Sequence, residues 1–273
     1  MRRKGFFVSN EFKKIPLKKI KKLFFTRVSA FSLLELAITL SIIGVISSFV
    51  FPALTTFYKH QKNLRTENHL NQIIQALASY VLSCKHLPSP ANPSDPLDGS
   101  SDEGRAIGVV PYRALGLPMA IAKDGYDHWI TYAVVNELTS ANISCVMMPQ
   151  GNIPESQVFC EIKDPIFPLE VLDSQGMSVL SSQTREDFIA FVLVSHGPKG
   201  EGAFDDLGRR RPNSSRDKNI NASDNLTFID RPLSHSKENF FDDKVRWVTR
   251  NNVMGVYGQK PCQIREYHNR SVE

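Results

Sequence analysis

The most pronounced pattern along the chain is an apolar run over residues 31–54, FSLLELAITLSIIGVISSFVFPAL, which holds a single charged residue, Glu35. A bilayer core about 30 Å thick is crossed by roughly 20 helical residues, so the run is long enough to span it. A carboxylate inside such a span is costly unless it is paired, and for that reason it marks a functional site. The run therefore predicts a transmembrane helix in which Glu35 meets a partner.

The helical period continues after the run, over residues 55–86. Apolar side chains recur there at spacings near 3.6 and are separated by charged and amide side chains, which predicts an amphipathic helix. The apolar positions are Phe57, Leu64, Leu70, Ile74, Leu77 and Val81. We therefore expect one spine helix from Phe31 to about Cys84, on the order of 80 Å long, whose second half packs its apolar stripe against a globular head.

Residues 87–273 have the pattern of that head. After a proline-rich linker, apolar segments predict strands within residues 124–135, 188–194 and 240–258, and the nearly continuous apolar segment 188–194 is typical of a strand buried on both faces. Residues 208–239 are mostly polar, which predicts a flexible excursion from the domain. A long helix followed by strands favours an α+β fold, in which a mostly antiparallel sheet packs on the spine helix.

Charge divides the chain at residue 30. Residues 1–30 contain ten of the 33 Lys and Arg but one of the 28 acidic residues, so residues 31–273 hold 23 basic and 27 acidic residues, a formal net charge of −4 against +5 for the whole chain. By the positive-inside rule, the basic segment keeps the N-terminus in the cytoplasm, and the residues after the span lie on the opposite side. Because the basicity belongs to this segment, nucleic acid is not an expected partner of the rest.

The order of these parts is specific. A basic leader, the small residue Ala30, and then Phe-Ser-Leu-Leu-Glu-Leu opening an apolar helix resemble the N-terminal signature of type IV prepilins, a family that includes the pseudopilins of type II secretion. The resemblance implies cleavage between Ala30 and Phe31 by a prepilin peptidase, N-methylation of Phe31, and a fifth mature residue, Glu35, that pairs with the Phe31 amine of a neighbouring subunit. The chain departs from the family at Ala30, because the residue before the cut is usually Gly. The alternative is an uncleaved signal anchor in which Glu35 has no such role.

A paired Glu35 would set the register between neighbouring helices, because breaking a buried ion pair leaves an uncompensated charge. Gly44 and Pro52 lie at the fourteenth and twenty-second positions counted from Phe31, where many members of the family have Gly and Pro. Proline removes a backbone donor and clashes with the preceding turn, so we expect a kink or a melted turn before Pro52.

Four cysteines follow the span, and in a periplasmic head they would lie in an oxidising compartment. Four cysteines allow three pairings. We expect Cys145 to pair with Cys160, because the two bracket a short loop, which leaves Cys84 and Cys262 as a clamp between the helix and the C-terminal segment. The alternative for the second pair is buried free thiols.

Two acidic pairs are the candidate metal ligands. Asp205 and Asp206 follow a glycine-rich turn, Asp242 and Asp243 precede the last apolar segment, and carboxylate oxygens are ligands that Ca²⁺ prefers. Major pseudopilins carry a calcium site in their C-terminal loops, so the resemblance implies calcium as the candidate cofactor. The alternative is that all four are solvated turn residues that cap strand ends.

Catalytic patterns are weak in this sequence. It has no GxSxG, HExxH, phosphate-binding loop or EF-hand pattern. Ser195 and His196 are adjacent, and neighbours at a strand end point to opposite sides, so they are a poor nucleophile and base. We therefore do not expect an enzyme.

These features together predict a non-catalytic, prepilin-like subunit. Residues 1–30 are the leader, 31–54 the transmembrane and assembly half of the spine helix, 55–86 its amphipathic half, and 87–273 the periplasmic head. The chain would be a single-pass protein of the bacterial inner membrane that assembles into a type IV pilus or a type II secretion pseudopilus. Its partners would be the bilayer, the prepilin peptidase, other pilin or pseudopilin subunits and an inner-membrane assembly platform.

The large head and its polar excursion favour a minor or tip subunit over a major one. A competing hypothesis is a membrane-anchored periplasmic binding module, either a DNA-uptake receptor or an adhesin, that uses the same targeting segment. The two differ in whether the N-terminal helix polymerises or only anchors the head.

Overall fold

The structure is a computed structural model that describes residues 32–139, 165–166, 168–180, 187–213, 215–236 and 240–258. The chain divides into two units, Met1–Thr56 and Phe57–Glu273. One helix, α1 (Leu33–Cys84), begins in the first unit and ends in the second. It confirms the predicted spine helix, since the expected bounds were Phe31 and about Cys84.

Local sequence sets the end of α1. Lys85, directly after the helix, adopts a positive φ of 63°, and its backbone N–H donates to the carbonyl of Val81 at 2.8 Å. A left-handed residue turns the chain out of the helical path. The Lys85 ammonium also donates to the carbonyl of Leu82 at 2.8 Å, which satisfies one of the last free carbonyls of the helix.

Within the second unit, α1 buries one face. Its buried residues recur every three or four positions, as expected for a helix stripe facing a core. They are Thr66, His69, Leu70, Ile73, Leu77, Ala78, Val81 and Cys84. The predicted stripe is confirmed at Leu70, Leu77 and Val81, but it is wrong at Phe57 and Leu64, whose side chains are 56% and 45% exposed. Periodicity identifies the apolar face of a helix, whereas the surrounding chain determines how much of that face is covered.

The described strands of the head are β1 (Ile107–Val109), β2 (Thr131–Val134), β3 (Glu170–Leu172), β4 (Ile189–Ser195), β5 (Thr227–Ile229) and β6 (Lys244–Thr249). Four of them form an antiparallel sheet in the order β1-β2-β4-β6, and β3 and β5 form a separate parallel pair. Two short α-helices, α2 (Arg216–Asn221) and α3 (Arg250–Gly255), and two single-turn 3₁₀ helices, Met119–Ala122 and Asn136–Thr139, complete the described elements. The fold is therefore α+β with a mostly antiparallel sheet, as predicted.

Strand β4 is the centre of the sheet. It pairs with β2 on one edge and β6 on the other, and all seven of its residues are buried. This burial explains the nearly continuous apolar sequence, because a strand covered on both faces needs no polar alternation. The predicted strand over 188–194 is confirmed. The predicted segment 240–258 forms a strand only as far as Thr249, where its hydroxyl accepts a bond from the Asn252 N–H and caps α3.

The prediction of a flexible excursion over residues 208–239 is wrong for its described part. This stretch contains α2 and β5, and Lys218, Asn221 and Phe228 in it are fully buried. Polar composition indicated solvation, but Lys218 and Asn221 bond to the buried carboxylates of Asp242 and Asp243 instead of water. A composition argument does not detect that pairing.

An ion-pair network joins α1 to strand β6. The Glu67 carboxylate accepts from Lys244 Nζ at 2.9 Å and from Arg246 Nη2 at 2.7 Å. Partial burial raises the pKa of Glu67, but the bonds and charges of Lys244 and Arg246 lower it more, so the net pKa lies below its ordinary value. Glu67 is thus a carboxylate that the folded state prefers ionised.

We predict that Glu67→Gln lowers the free energy of unfolding by about 1 kcal/mol at neutral pH. Because the folded pKa is depressed, the contribution of Glu67 is fully present above its unfolded pKa of about 4.5 and is lost as the pH falls through the folded pKa. Urea unfolding of the full chain in detergent, followed by tryptophan fluorescence, measures this. The difference between variant and wild type should shrink towards pH 3, while the exposed Glu103→Gln should show little difference at either pH. An equal loss at pH 7 and pH 3 would contradict the ion-pair explanation.

Candidate functional site

The first unit presents an apolar helix surface. Among the described residues, α1 is the one helix long and apolar enough to cross a membrane. An 18-residue stretch near its N-terminus has a mean hydropathy of 2.2, and no part of that stretch is buried within the chain. Its exposed large side chains are Leu33, Leu34, Leu36, Ile38, Leu40, Ile42, Ile43, Val45, Ile46, Phe49, Val50, Phe51 and Leu54. A continuous apolar surface of this kind marks a site of contact with lipid or protein. The expected membrane-compatible span is therefore present.

Glu35 lies in the first turn of α1 and is exposed. A carboxylate is favourable there because the helix dipole places partial positive charge at the N-terminus. The preceding Ser32 accepts from the Leu36 N–H through its backbone carbonyl at 3.0 Å. Ala30 and Phe31 lie outside the described residues, so cleavage between them and methylation of Phe31 stay predictions.

The helix passes through Pro52 without interruption, so the expected melted turn is not present there, and the expected kink stays a prediction. The hydroxyls of Thr55 and Thr56 both donate to the Pro52 carbonyl, at 2.8 and 3.0 Å. The Pro52 carbonyl thus has two side-chain hydrogen bonds in the turn that follows the proline. Gly44 faces open space, because a Cβ built on it meets nothing within 4 Å. Its small size is therefore not required by packing within this chain.

A buried polar cluster lies in the head where three segments meet. Strand β4 ends at Ser195 and leads through His196 into a glycine turn, residues 197–202. Helix α2 supplies Lys218, and the segment before β6 supplies Asp242 and Asp243. All five of these residues are buried. Lys218 Nζ donates to Asp242 Oδ1 and lies 3.1 Å from Asp243 Oδ1. The cluster is centred on this fully buried ammonium.

His196 is held neutral in this cluster. Burial lowers the pKa of His196 well below its ordinary value, and the nearby cations Arg210 and Lys218 lower it further. Its Nε2 lies 2.9 Å from the Thr131 hydroxyl, and its Nδ1 lies 3.8 Å from Asp243 Oδ2. Burial raises the pKa of Asp243 to about 6, against the opposing effect of Lys218. Both shifts reduce the number of charges enclosed in the core.

The amide of Asn221 connects this cluster to strand β5. Asn221 Nδ2 donates to Asp243 Oδ2 and to the carbonyl of Ile229, both at 3.1 Å, and Asn221 Oδ1 accepts from the Ile229 N–H at 2.7 Å. Three bonds to a buried amide fix its orientation. The Asp243 carboxylate is therefore held at both oxygens, at Oδ2 by Asn221 and at Oδ1 by Lys218.

The adjacent Ser195 and His196 have different partners. The Ser195 hydroxyl donates to Asp124 Oδ2 at 2.8 Å, whereas His196 contacts Thr131. Asp124 also accepts from the His128 backbone N–H at 3.0 Å, and His128 Nδ1 lies 3.0 Å from the carbonyl of Gly197. These bonds fasten the glycine turn to the segment before β2.

The four predicted calcium ligands are not brought together as one metal site. Asp205 accepts from the backbone N–H groups of Leu207 and Arg209 at 2.9 Å, and these bonds lower its pKa. Asp206 accepts from Trp129 Nε1 at 2.7 Å, while Asp242 and Asp243 face Lys218. Among the residues that the structure describes, no group of three or more His, Cys, Asp or Glu could hold a metal ion. An ammonium already occupies the Asp242–Asp243 pair, so calcium does not fit that donor set as it stands. Nor are Asp242 and Asp243 solvated turn residues, because both are buried.

Cys84, at the end of α1, is disulfide-bonded, which supports disulfides over free thiols at this position. The other three cysteines, Cys145, Cys160 and Cys262, lie outside the described residues. The proposed pairings therefore stay predictions.

Comparison with known proteins gives no relative for this chain: no family model, no curated protein and no solved structure matches it. The likeness to prepilins thus depends on the residues of the signature and on the helix that follows them.

Sequence reasoning missed Lys218 and Arg210, which sit in a stretch expected to be solvated. Arg210 Nη1 donates to the Thr131 hydroxyl at 3.1 Å and to the carbonyl of Gly202 at 3.0 Å, and burial lowers the pKa of Arg210 to about 10. One signal was available in the sequence. Two adjacent aspartates follow two phenylalanines and precede an apolar strand, a context that favours burial, and buried carboxylates need a cation.

We predict that Gly197→Ala destabilises the head more than Gly176→Ala does. Both glycines have positive φ, 68° and 77°, so each alanine costs about 1–2 kcal/mol in backbone strain. A Cβ at Gly197 would also lie 2.3 Å from the Asp242 carbonyl oxygen, whereas one at Gly176 meets nothing within 4 Å. The steric clash should add about 1–3 kcal/mol, measured by chemical unfolding. Equal losses in the two variants would show that the turn does not press on Asp242.

Proposed function

We propose that this chain is a non-catalytic, pilin-like subunit that a prepilin peptidase processes and that polymerises through its N-terminal helix into a type IV pilus or a type II secretion pseudopilus. The observation that carries the proposal is the division of α1. Its first part is apolar, exposed and long enough to span a bilayer, and its second part buries one face in an α+β head.

The exposed apolar surface of α1 needs cover, and in this proposal two environments cover it in succession. Before assembly, lipid covers it in the inner membrane, with the basic N-terminus in the cytoplasm and the head in the periplasm. After assembly, helices of neighbouring subunits replace the lipid. Glu35 is the one charged residue in the run, and its pairing with the new Phe31 amine of a neighbour fixes how far each helix slides past the next.

The head supplies contacts to partners and performs no catalysis in this proposal. Support for this comes from the buried ionisable groups of the head, Lys218, Asp242, Asp243 and His196, which face one another beneath the glycine turn. Groups that pair inside the core are suited to stabilise the fold. The size of the head favours a minor or tip subunit.

Processing is tested by expressing the full chain with and without a prepilin peptidase and sequencing the N-terminus of the product. We expect Phe31, methylated at its amine, as the first residue when the peptidase is present. Ala30→Gly should be cut at least as fast, because the residue before the cut is small in this family, and Ala30→Leu should be cut slowly. An intact Met1 in every case would reject the proposal and favour an uncleaved anchor.

We predict that Glu35→Ala is processed normally but fails to assemble. Removing the carboxylate leaves the amine of each neighbour without a counter-ion, so the fraction of chain recovered in cross-linked oligomers should fall by about tenfold or more, equivalent to about 1.4 kcal/mol per contact. Ser41→Ala is the matched control. It removes a polar side chain from the same run, and the hydroxyl of Ser41 donates to the Ala37 carbonyl of its own helix. Equal assembly of the two variants would contradict a register role for Glu35.

A further inference from the structure

The Lys218 ammonium is enclosed by oxygens from two other segments. Its Nζ donates to Asp242 Oδ1, lies 3.1 Å from Asp243 Oδ1, and lies 3.4 Å from the carbonyl oxygen of His196. The lysine side chain has no exposed surface, and both aspartates are also buried. Carboxylate and backbone carbonyl oxygens in one buried place are the donor set that hard cations such as Ca²⁺ bind.

We propose that Lys218 is a built-in cation that occupies a calcium-type oxygen site, so that the head is stable without a metal ion, and that truncating this side chain opens the site to Ca²⁺. The four-carbon side chain of Lys218 places one positive charge next to all three oxygens. A free divalent ion would deliver its charge to the same oxygens from solution.

The three oxygens are held by contacts that do not involve Lys218. Asn221 Nδ2 donates to Asp243 Oδ2 at 3.1 Å, and Gly197 packs so closely on the Asp242 carboxylate that a Cβ there would lie 2.9 Å from Oδ2. The carbonyl of His196 belongs to the backbone directly after β4, where Ser195 pairs with Lys244 of β6. The site therefore keeps its shape when the lysine stem is removed, as a cation site requires.

Charge also favours a divalent ion in the truncated variant. Two carboxylates face one ammonium, and Asp242 Oδ2 is buried without a hydrogen-bond partner in the described structure. Removing Lys218 leaves both carboxylates without their ammonium in a place that water does not reach, and this is strongly unfavourable. A Ca²⁺ ion would balance both charges at once.

The site lies in the head, so its behaviour does not depend on how the exposed part of α1 is covered. The test uses the full chain in detergent, stripped of divalent ions, and follows thermal unfolding by near-ultraviolet circular dichroism in chelator and in millimolar CaCl₂. Wild type should have the same Tm in both. Lys218→Ala should lose on the order of 10 °C in chelator and recover at least half of that loss with CaCl₂, but not with NaCl of equal ionic strength.

Two further variants act as controls. Lys218→Met keeps most of the stem volume without the charge, so it should be destabilised and should not recover with CaCl₂. Lys199→Ala removes an exposed lysine of the glycine turn after β4, whose Nζ lies 3.5 Å from Glu201, and should be stable in both buffers. Loss of a calcium response in Lys218→Ala when Asp243→Asn is added would locate the ion at these oxygens.

Several results would overturn the proposal. A wild-type chain that gains stability from CaCl₂ through Asp243 would show that the lysine does not replace a metal. A Lys218→Ala chain as stable as wild type in chelator, or one that is destabilised but unresponsive to CaCl₂, would show that the oxygens do not form a cation site. If neither Lys218 variant folds, direct titration of wild type with Tb³⁺ decides the question, because the proposal requires that no ion binds at Asp242 and Asp243.

Discussion

The first part of α1 leaves its apolar side chains uncovered by the rest of the chain, and the cover that this surface needs is the main physical constraint on the protein. Its apolar side chains are exposed along an 18-residue window none of which is buried within the chain. A surface of this extent requires cover from lipid or from other proteins. In the proposed function Glu35 adds a second requirement, because a carboxylate covered by apolar groups is costly unless it is paired. Anchoring and polymerisation are two ways of satisfying the same need.

The second part of α1 solves the opposite problem, since the chain covers it by itself. Leu70, Ile73 and Leu77 share one hydrophobic core with the residues of strand β4. Ion pairs then fix which strand meets which part of the helix. Glu67 joins α1 to Lys244 and Arg246 of β6 across more than 170 residues of sequence. Hydrophobic contact tolerates small shifts of register, whereas a paired charge that loses its partner does not.

The buried cluster around Lys218 gives the polar stretch 208–239 a structural role. Its helix α2 carries both the ammonium and the Asn221 amide into the core, where they meet the turn after β4 and the segment before β6. If the Lys218 ammonium replaces a metal ion, the stretch 208–239 is the part of the chain that allows the head to be stable without that ion. The arrangement also explains why Asp242 and Asp243, which look like metal ligands in the sequence, have a cation of their own.

The sequence alone determined the spine helix, the central strand and the α+β class, because each depends on a local period of apolar residues that burial or lipid enforces. It also identified Glu35, since one charge in an apolar run is visible without a structure. Only the tertiary structure showed that the apolar stripe of α1 is covered from Thr66 onward and not at Phe57 and Leu64. Likewise, only the fold brought Lys218 to Asp242 and Asp243. Burial of a polar residue depends on partners distant in sequence, and neither composition nor spacing records which of them will meet.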